Sequence, residues 1–280
     1  MLSVLEIIKK TTDFFAAKGI ESPRLNAELL IGHALGLKRM ALYLQFERLL
    51  AEAELEKIRP LVRRRGLHEP VQYIVGETEF YGLKLKVDRR ALIPRPETER
   101  LVEQVVAAWE RPPTRVLDLG TGSGAIALAL AHAFPLAAVT ATDLVPDALA
   151  LARENAVATG VAERITFVQS DWYAALSVET YELIVSNPPY LSPAETAATS
   201  WEVRGFEPTG ALTAADEGRA DLRTIIAGAP AHLAAGGLLA LETGISQHPQ
   251  LLEEMRAVGL VAAESRTDLT GRDRFLFARI

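Results

Sequence analysis

The feature that most constrains the fold is a regular alternation of short apolar segments with helical segments from residue 95 onward. Strands that alternate with helices form mostly parallel sheets whose two faces are both covered. The sequence therefore predicts an α/β fold in which ligands bind at the carboxyl ends of the strands. The predicted strands are residues 115–119, 138–142, 165–168, 183–186 and 238–242, with two further extended segments at 261–265 and 274–278.

The first 75 residues have a different pattern, typical of short helices. Ser22 and Pro23 resemble an N-cap followed by proline at the first helical position, and Gly36 follows the last apolar residue of that helix. A second helical stretch contains Pro60, which we expect to kink or interrupt it. Alternating apolar residues around Gly82 predict a hairpin. We therefore expect a helical domain at 1–75, a β-hairpin connector at 76–90 and the main domain at 91–280.

Composition excludes several function classes. The chain has no cysteine, so it has no disulfide, no thiolate metal site and no cysteine nucleophile. A formal net charge of -6 disfavours a protein that mainly binds nucleic acid. No apolar run reaches the roughly 20 residues that cross a bilayer, and no signal peptide is recognisable, so we expect a cytoplasmic protein without a membrane partner. Metal-ligand spacing is absent among the histidines, and no metal is expected: His33, His68, His132, His232 and His248.

A glycine-rich loop follows the first predicted strand of the main domain. Gly120, Gly122 and Gly124 let the backbone turn sharply and let a ligand approach closely. Their spacing is G-x-G-x-G and not the G-x-G-x-x-G that places a pyrophosphate on a helix N-terminus. With Asp118 nearby, the loop suits a zwitterionic ligand better than a diphosphate. A tight structural turn is the alternative interpretation.

Two acidic positions after the next strands extend this site. Asp143 can accept hydrogen bonds from both hydroxyls of an unphosphorylated ribose, although it can also cap the following helix. Asp171 can accept from the exocyclic amine of adenine, and the Trp172 indole can cover the ring; a surface turn is equally compatible with this pair. Together with the glycine loop, Asp143 favours an adenosine site.

The segment 186–190, Ser-Asn-Pro-Pro-Tyr, ends the fourth strand and carries the most specific signal. Two prolines remove two N–H donors and stiffen the chain. The side-chain oxygen of Asn187 and the carbonyl of Pro188 can hold the two N–H groups of a planar NH2. Tyr190 can pack on the flat group. The motif indicates a site that binds such an NH2 beside the adenosine pocket.

These four motifs, in this order, resemble class I S-adenosylmethionine-dependent methyltransferases of the Asn-Pro-Pro-Tyr type, which methylate planar nitrogens. The chain length and the helical N-terminus are also similar to one branch, the bacterial peptide chain release factor glutamine methyltransferases. The segments that carry this second resemblance span most of the chain: EPVQYIVGETEFYG (69–82), LIPRPETE (92–99), FEPTGAL (206–212), LALETGISQ (239–247) and DLTGRDRF (268–275).

The resemblance implies a fold, a reaction and a set of site residues. The fold would be a Rossmann-like sheet, mostly parallel with an antiparallel C-terminal hairpin, plus a small N-terminal helical domain that holds the substrate. The reaction would methylate the glutamine of the Gly-Gly-Gln motif in class I release factors, giving N5-methylglutamine and S-adenosylhomocysteine, with a monomeric enzyme bound one-to-one to its substrate. The cofactor would contact Gly120, Thr121, Gly122, Ser123, Gly124, Asp143, Asp171, Trp172 and Asn187. The amide would contact Asn187, Pro188, Pro189 and Tyr190.

Three other functions are compatible with parts of the pattern. An N6-adenine methyltransferase of nucleic acid shares the Asn-Pro-Pro-Tyr motif, but it needs a base-flipping pocket and a basic track along the backbone. A glutamine methyltransferase of a large-subunit ribosomal protein has the same core motif. A non-catalytic adenosine-binding module would not need the motif at all.

Overall fold

A computed structural model describes residues 2–177 and 179–280. Two compact units divide the chain: residues up to Glu77 together with Ser200–Phe206 form the first, and Thr78–Thr199 together with Glu207–Ile280 form the second. We call them the helical unit and the sheet unit. Within the described residues, none of the helices is both long and apolar enough to cross a membrane.

The helical unit is built around one apolar cluster. Ile8, Phe15, Leu30 and Leu42 are fully buried in it. The sequence did not indicate that a segment near residue 200 belongs here. Buried Arg65 makes that segment part of the unit, because its guanidinium pairs with Glu202 and also donates to Asn26 Oδ1 at 2.8 Å. The helices of the unit are α1 (Val4–Ala17), α2 (Pro23–Leu35), α3 (Arg39–Tyr43), α4 (Glu52–Gly66), α5 (Val71–Val75) and α10 (Trp201–Phe206).

Two local expectations about these helices are met only in part. The α4 helix continues through Pro60 without interruption. A proline there removes a single intrahelical hydrogen bond, whereas Ile58 beside it stays anchored in the apolar cluster. Ser22 lies at the N-cap of α2, but its side chain makes no capping bond; the Asn26 side chain instead donates to the carbonyls of Glu21 and Ser22.

A two-stranded hairpin begins where the helical unit ends. Its strands are β1 (Glu77–Phe80) and β2 (Leu83–Lys86), and Tyr81 and Gly82 both have positive φ. Two such residues are the mark of a type I′ turn, whose twist matches that of the flanking strands, so the bend predicted at Gly82 is confirmed. Asn155 fastens β2: its side chain accepts from the Lys86 N–H at 2.7 Å and donates to the Lys86 carbonyl at 3.0 Å.

The sheet unit contains one seven-stranded sheet. Its strands are β3 (Arg115–Leu119), β4 (Ala138–Asp143), β5 (Ile165–Gln169), β6 (Tyr181–Ser186), β7 (Leu233–Glu242), β8 (Val261–Thr267) and β9 (Asp273–Arg279). They lie in the order β5-β4-β3-β6-β7-β9-β8. Neighbours from β5 to β7 pair in parallel, and β9 is antiparallel to both β7 and β8. The mostly parallel sheet with an antiparallel C-terminal hairpin is therefore confirmed.

Helices cover both faces of this sheet. They are α6 (Pro96–Ala107), α7 (Ala125–Ala133), α8 (Pro146–Ala158), α12 (Ala220–His232) and α13 (His248–Ala257). Two short helices of the same unit, α9 (Pro193–Ala198) and α11 (Ala215–Gly218), lie in the connection between β6 and α12. Val116 of β3 belongs to one buried cluster, and its neighbour Leu117 belongs to another, as expected for side chains that alternate across a strand. The first cluster includes residues of α6 and α7, and the second includes residues of α12 and α13.

Candidate active site

A cavity of about 380 Å³ lies at the carboxyl ends of β3, β4, β5 and β6. The chain order reverses on either side of β3, which has β4 on one side and β6 on the other, and such switch points are where open α/β sheets bind ligands. Most of the residues predicted from the motifs meet here. They are Gly120, Thr121, Gly122, Ser123, Asp143, Asp171, Trp172, Asn187 and Pro189.

Three residues of the predicted set lie outside the cavity lining. Gly124 lies behind the loop, where a Cβ would come within 3.1 Å of the Ala152 Cβ. Pro188 is buried. The Tyr190 hydroxyl donates to Glu242 Oε1 at 3.1 Å, so this end of the ring is held within the protein. Gly124 and Tyr190 therefore support the site from behind, and Pro188 can reach a ligand only through its backbone carbonyl.

Buried Asp118 holds the glycine loop from the side that faces away from the cavity. One carboxylate oxygen of Asp118 accepts from the Thr121 hydroxyl at 2.6 Å and from the Ala127 N–H at 3.1 Å. The group is fully buried, and this burial raises its pKa to about 7. Its other oxygen has no partner among the described residues. Asp118 therefore shapes the loop and the start of α7 rather than lining the cavity.

Asp143 joins the end of β4 to the same loop. Its Oδ2 accepts from the Gly122 N–H at 2.8 Å, and its Oδ1 accepts from the Val145 N–H at 2.9 Å. Burial raises the pKa of this carboxyl group. A carboxylate has about four lone-pair positions, so both oxygens retain acceptor capacity toward the cavity. The same Asp143 can thus close the turn into α8 and accept from ribose hydroxyls.

Trp172 lies across the glycine loop. Its ring would be 3.3 Å from a Cβ placed on Gly120, which explains the absence of a side chain there. The indole hydrogen-bonds to Asp221, a cavity residue that the sequence motifs did not identify; burial raises the pKa of Asp221 and this bond opposes the rise. Trp172 is therefore held against the glycine loop by its ring packing and by its hydrogen bond to Asp221.

The corner after β6 is organised by a chain of buried hydrogen bonds. Asn187 Nδ2 donates to Thr98 Oγ1 at 2.9 Å, and Thr98 in turn donates to Glu242 Oε2 at 2.7 Å. Glu242 also accepts from Tyr190, so one carboxylate receives bonds from both branches. Burial raises the pKa of Glu242. Within 2–177 and 179–280, no donor contacts the Asn187 Oδ1.

The backbone of this corner is fastened as well. Ser186 Oγ donates to the Leu119 carbonyl at 2.6 Å, which ties the end of β6 to the end of β3. Gln247 Nε2 donates to the Tyr190 carbonyl at 2.8 Å. Gly218 approaches the same carbonyl so closely that a Cβ would lie 2.1 Å from its oxygen. The corner therefore has little freedom to move away from the cavity.

The four sequence motifs did not predict one wall of the cavity. It is the segment before α6, and Glu207 holds it: its Oε1 accepts from Arg95 Nη2 at 2.6 Å and its Oε2 from the Ile93 N–H at 3.1 Å. The signal was present in two segments that carry the family resemblance, 92–99 and 206–212. The additional lining residues are Arg90, Ala91, Leu92, Pro94, Arg95, Thr98, Ala125, Ile126, Leu144, Val145, Ala148, Ser170, Pro208, Gly210, Ala211 and Asp221.

The sheet order and the position of the cavity define a Rossmann-like fold, and the family comparison gives its class, that of the methyltransferases. Residues 97–203 match the family model described as methyltransferase small domain. A methyltransferase from Pyrococcus furiosus has the same fold, with a TM-score of 0.54 and 19% identity over 71% of this chain and 89% of that one.

Comparison with relatives narrows the class to one family. Residues 6–76 match the family model described as PrmC N-terminal domain. The release factor glutamine methyltransferase of Chlorobaculum tepidum is 48% identical over 86% of this chain and 85% of its own length. That of Deinococcus radiodurans is 43% identical over 99% of each chain. The chain belongs to the release factor glutamine methyltransferase family.

Proposed function

We propose that this protein transfers a methyl group from S-adenosylmethionine to the side-chain amide nitrogen of the glutamine in the Gly-Gly-Gln motif of class I release factors. The observation that carries the proposal is the placement of Asn187. It lines the same cavity as the glycine loop and Asp143, and its amide nitrogen is already used by Thr98. The side chain therefore offers an acceptor oxygen to an incoming NH2.

The residues around the cavity fit the methyl donor. The backbone of 120–123 suits the methionine part, the Asp143 carboxylate suits the ribose hydroxyls, and Asp171 with Trp172 suits the adenine. When bound, S-adenosylmethionine supplies an electrophilic methyl group on a positively charged sulfur. The two oxygens of Asp143, which accept from the Gly122 and Val145 N–H groups, keep further lone pairs for the hydroxyls of this ligand.

The protein's main contribution is to position the amide. A primary amide nitrogen is a poor nucleophile because its lone pair is delocalised into the carbonyl. Asn187 Oδ1 and the Pro188 carbonyl accept the two N–H bonds and orient the nitrogen, and positioning of this kind is worth roughly 7 to 11 kcal/mol. Both hydrogen bonds strengthen as positive charge develops on the nitrogen, which stabilises the transition state more than the ground state.

No general base is required before methyl transfer. The carboxylate nearest to Asn187 in the hydrogen-bond chain is that of Glu242, which is fully buried and receives bonds from Thr98 and Tyr190. The N–H groups become acidic only after the nitrogen has been alkylated, and one proton then passes to solvent water.

The wider setting is part of the same proposal. We infer that the helical unit holds the release factor, that enzyme and substrate associate one-to-one, and that the reaction takes place in the cytoplasm. The relatives are named for their action on release factors, and a net charge of -6 is compatible with a protein substrate.

The direct test is to offer three substrates with isotopically labelled methyl donor: a class I release factor, a glutamine-bearing large-subunit ribosomal protein and adenine-containing DNA. Mass spectrometry then maps each added methyl group. We expect one methyl on the glutamine of Gly-Gly-Gln and none elsewhere. Methylation of the ribosomal protein or of DNA in place of the release factor would refute the proposal, as would a methyl group on carbon or oxygen.

A further inference from the structure

The side chain of Thr98 connects helix α6 to the corner after β6. It lies in the first turn of α6 and is only 4% exposed, yet its side chain lines the cavity. Its single hydroxyl accepts one hydrogen bond, from Asn187 Nδ2, and donates one, to Glu242 Oε2. The hydroxyl therefore accepts from Asn187 on one side and donates to Glu242 on the other.

This direction follows from the hydrogen bonds that Glu242 accepts. Its Oε1 accepts from the Tyr190 hydroxyl and its Oε2 accepts from Thr98, so the Thr98 hydrogen points toward the carboxyl group. The lone pairs of Thr98 are then left for a donor, and of the two ends of the Asn187 amide only the NH2 can donate. The Asn187 amide is thereby fixed with its nitrogen toward Thr98 and its oxygen on the opposite side.

The orientation matters because the two ends of an asparagine amide have the same size. A flipped Asn187 would present its own NH2 to the NH2 of the substrate, and two donors cannot bond. Packing alone cannot prevent the flip, since oxygen and NH2 fill nearly equal volumes. The orientation of the amide must therefore be set by a hydrogen-bond partner that accepts from the NH2 and has no hydrogen to donate to the amide oxygen. Thr98 is such a partner, because its hydrogen is already bonded to Glu242.

We propose that Thr98 and Glu242 are positioning residues that set the orientation of the Asn187 amide, so that its oxygen is presented to the substrate NH2. The inference rests on the proposed function, because orientation matters only if Asn187 receives an NH2. Tyr190 shares the same carboxylate, so Glu242 orients both the hydrogen-bonding side chain and the aromatic ring of this corner.

The test compares Thr98→Val, which keeps the branched shape and removes the hydroxyl, with Thr98→Ser, which keeps the hydroxyl. Loss of one hydrogen bond to the oriented group should lower kcat by about 10- to 100-fold in Thr98→Val, while KM for the release factor changes less than about two-fold. Thr98→Ser should recover most of this loss.

A double variant separates positioning from general damage. If Thr98 acts only through Asn187, adding Thr98→Val to Asn187→Ala should cost less than about a further two-fold. Losses that multiply would overturn the inference. Thr142→Val is the matched control, since it makes the same chemical change at a buried threonine of β4 whose hydroxyl has no partner in the described chain.

A spectroscopic readout makes the test independent of turnover. The chain has only three asparagines, at positions 26, 155 and 187, so protein labelled with [15N]asparagine gives three side-chain NH2 signals. Asn187→Ala identifies one of them. We expect that signal to shift in Thr98→Val, to stay near its place in Thr98→Ser and to be unchanged in Thr142→Val.

The outcomes distinguish the two proposals. If the wild-type protein does not methylate the release factor, the proposed function fails, and the NMR signals alone decide whether Thr98 holds Asn187. If the wild type is active but Thr98→Val retains full kcat, or leaves the Asn187 signal unmoved, the inference about Thr98 is wrong while the proposed function stands.

Discussion

Asp118 links the folding of the sheet unit to pH. Burial raises its pKa from 3.8 to about 7, although hydrogen bonds from Thr121 and from the Ala127 N–H oppose the shift. Between these two values the folded protein holds a proton that the unfolded chain has lost. The contribution of Asp118 to the free energy of unfolding is therefore fully present below pH 3.8 and is lost as the pH rises to about 7.

Replacing Asp118 by asparagine removes this titration and keeps one oxygen to accept from Thr121 and Ala127. We expect the stability of the wild-type protein to fall relative to Asp118→Asn as the pH is raised from about 5 to about 8. The relative change should be on the order of 3 kcal/mol, since each pKa unit corresponds to about 1.4 kcal/mol. Urea unfolding of both ligand-free proteins at each pH measures it. Parallel stability curves would show that Asp118 does not titrate in this range.

The residues of the site were predictable to different degrees. The lining positions of Gly120, Asp143 and Asn187 followed from motifs in which the relevant residues are adjacent along the chain. The partners of Asn187 did not follow, because Thr98 is 89 positions away from Asn187 and Glu242 is 144 positions away from Thr98. Which distant side chains meet is decided by the packing of α6 against the sheet, and a local pattern does not contain this information.

At the scale of elements, the close contact between α7 and α8 depends on Gly124. Its φ is +86°, and a Cβ would lie 3.1 Å from the Cβ and 3.3 Å from the Cα of Ala152, which is fully buried. Gly160 provides a comparison, because its φ is +75° but nothing lies within 4 Å of the position that a Cβ would take. An alanine at either position would carry similar backbone strain, but only at position 124 would it also collide with a neighbouring helix.

We expect Gly160→Ala to lower the free energy of unfolding by about 1 to 2 kcal/mol, the cost of a left-handed conformation. Gly124→Ala should cost about 1 to 3 kcal/mol more, because overpacking adds to the strain. Adding Ala152→Gly should restore part of the additional loss. Urea denaturation of the variants gives each value. Equal losses in the two single variants would contradict a packing role for Gly124.

The elements themselves were largely readable from the sequence. The predicted strand at 115–119 agrees with the bounds of β3, because a short apolar run followed by a glycine marks it. The β7 strand begins at Leu233, five residues before the predicted start at 238. The prediction missed this part because the small residues Ala234, Ala235 and Gly236 have low strand propensity. Helix α4 passes through Pro60 because tertiary anchoring outweighs one lost hydrogen bond.

At the scale of the whole molecule, two separate groups of residues at one edge of the sheet bind the cofactor and position the amide. The glycine loop and Asp143 lie at the ends of β3 and β4, whereas Asn187 lies at the end of β6 and takes its orientation from Thr98. Cofactor binding and amide positioning should therefore be separable by mutation. This separation is the central physical claim, since the protein acts on the amide nitrogen mainly by positioning it.

The most direct measurement compares Asn187→Ala with Asp143→Ala by calorimetric titration of S-adenosylmethionine and by single-turnover methylation of the release factor. We expect Asn187→Ala to slow turnover by about 100-fold or more with Kd for the methyl donor within about three-fold of wild type. Asp143→Ala should weaken donor binding by about 10-fold or more and keep most of the rate at saturating donor. Parallel loss of affinity and turnover in Asn187→Ala would contradict this division, because Asn187 would then be a cofactor ligand alone.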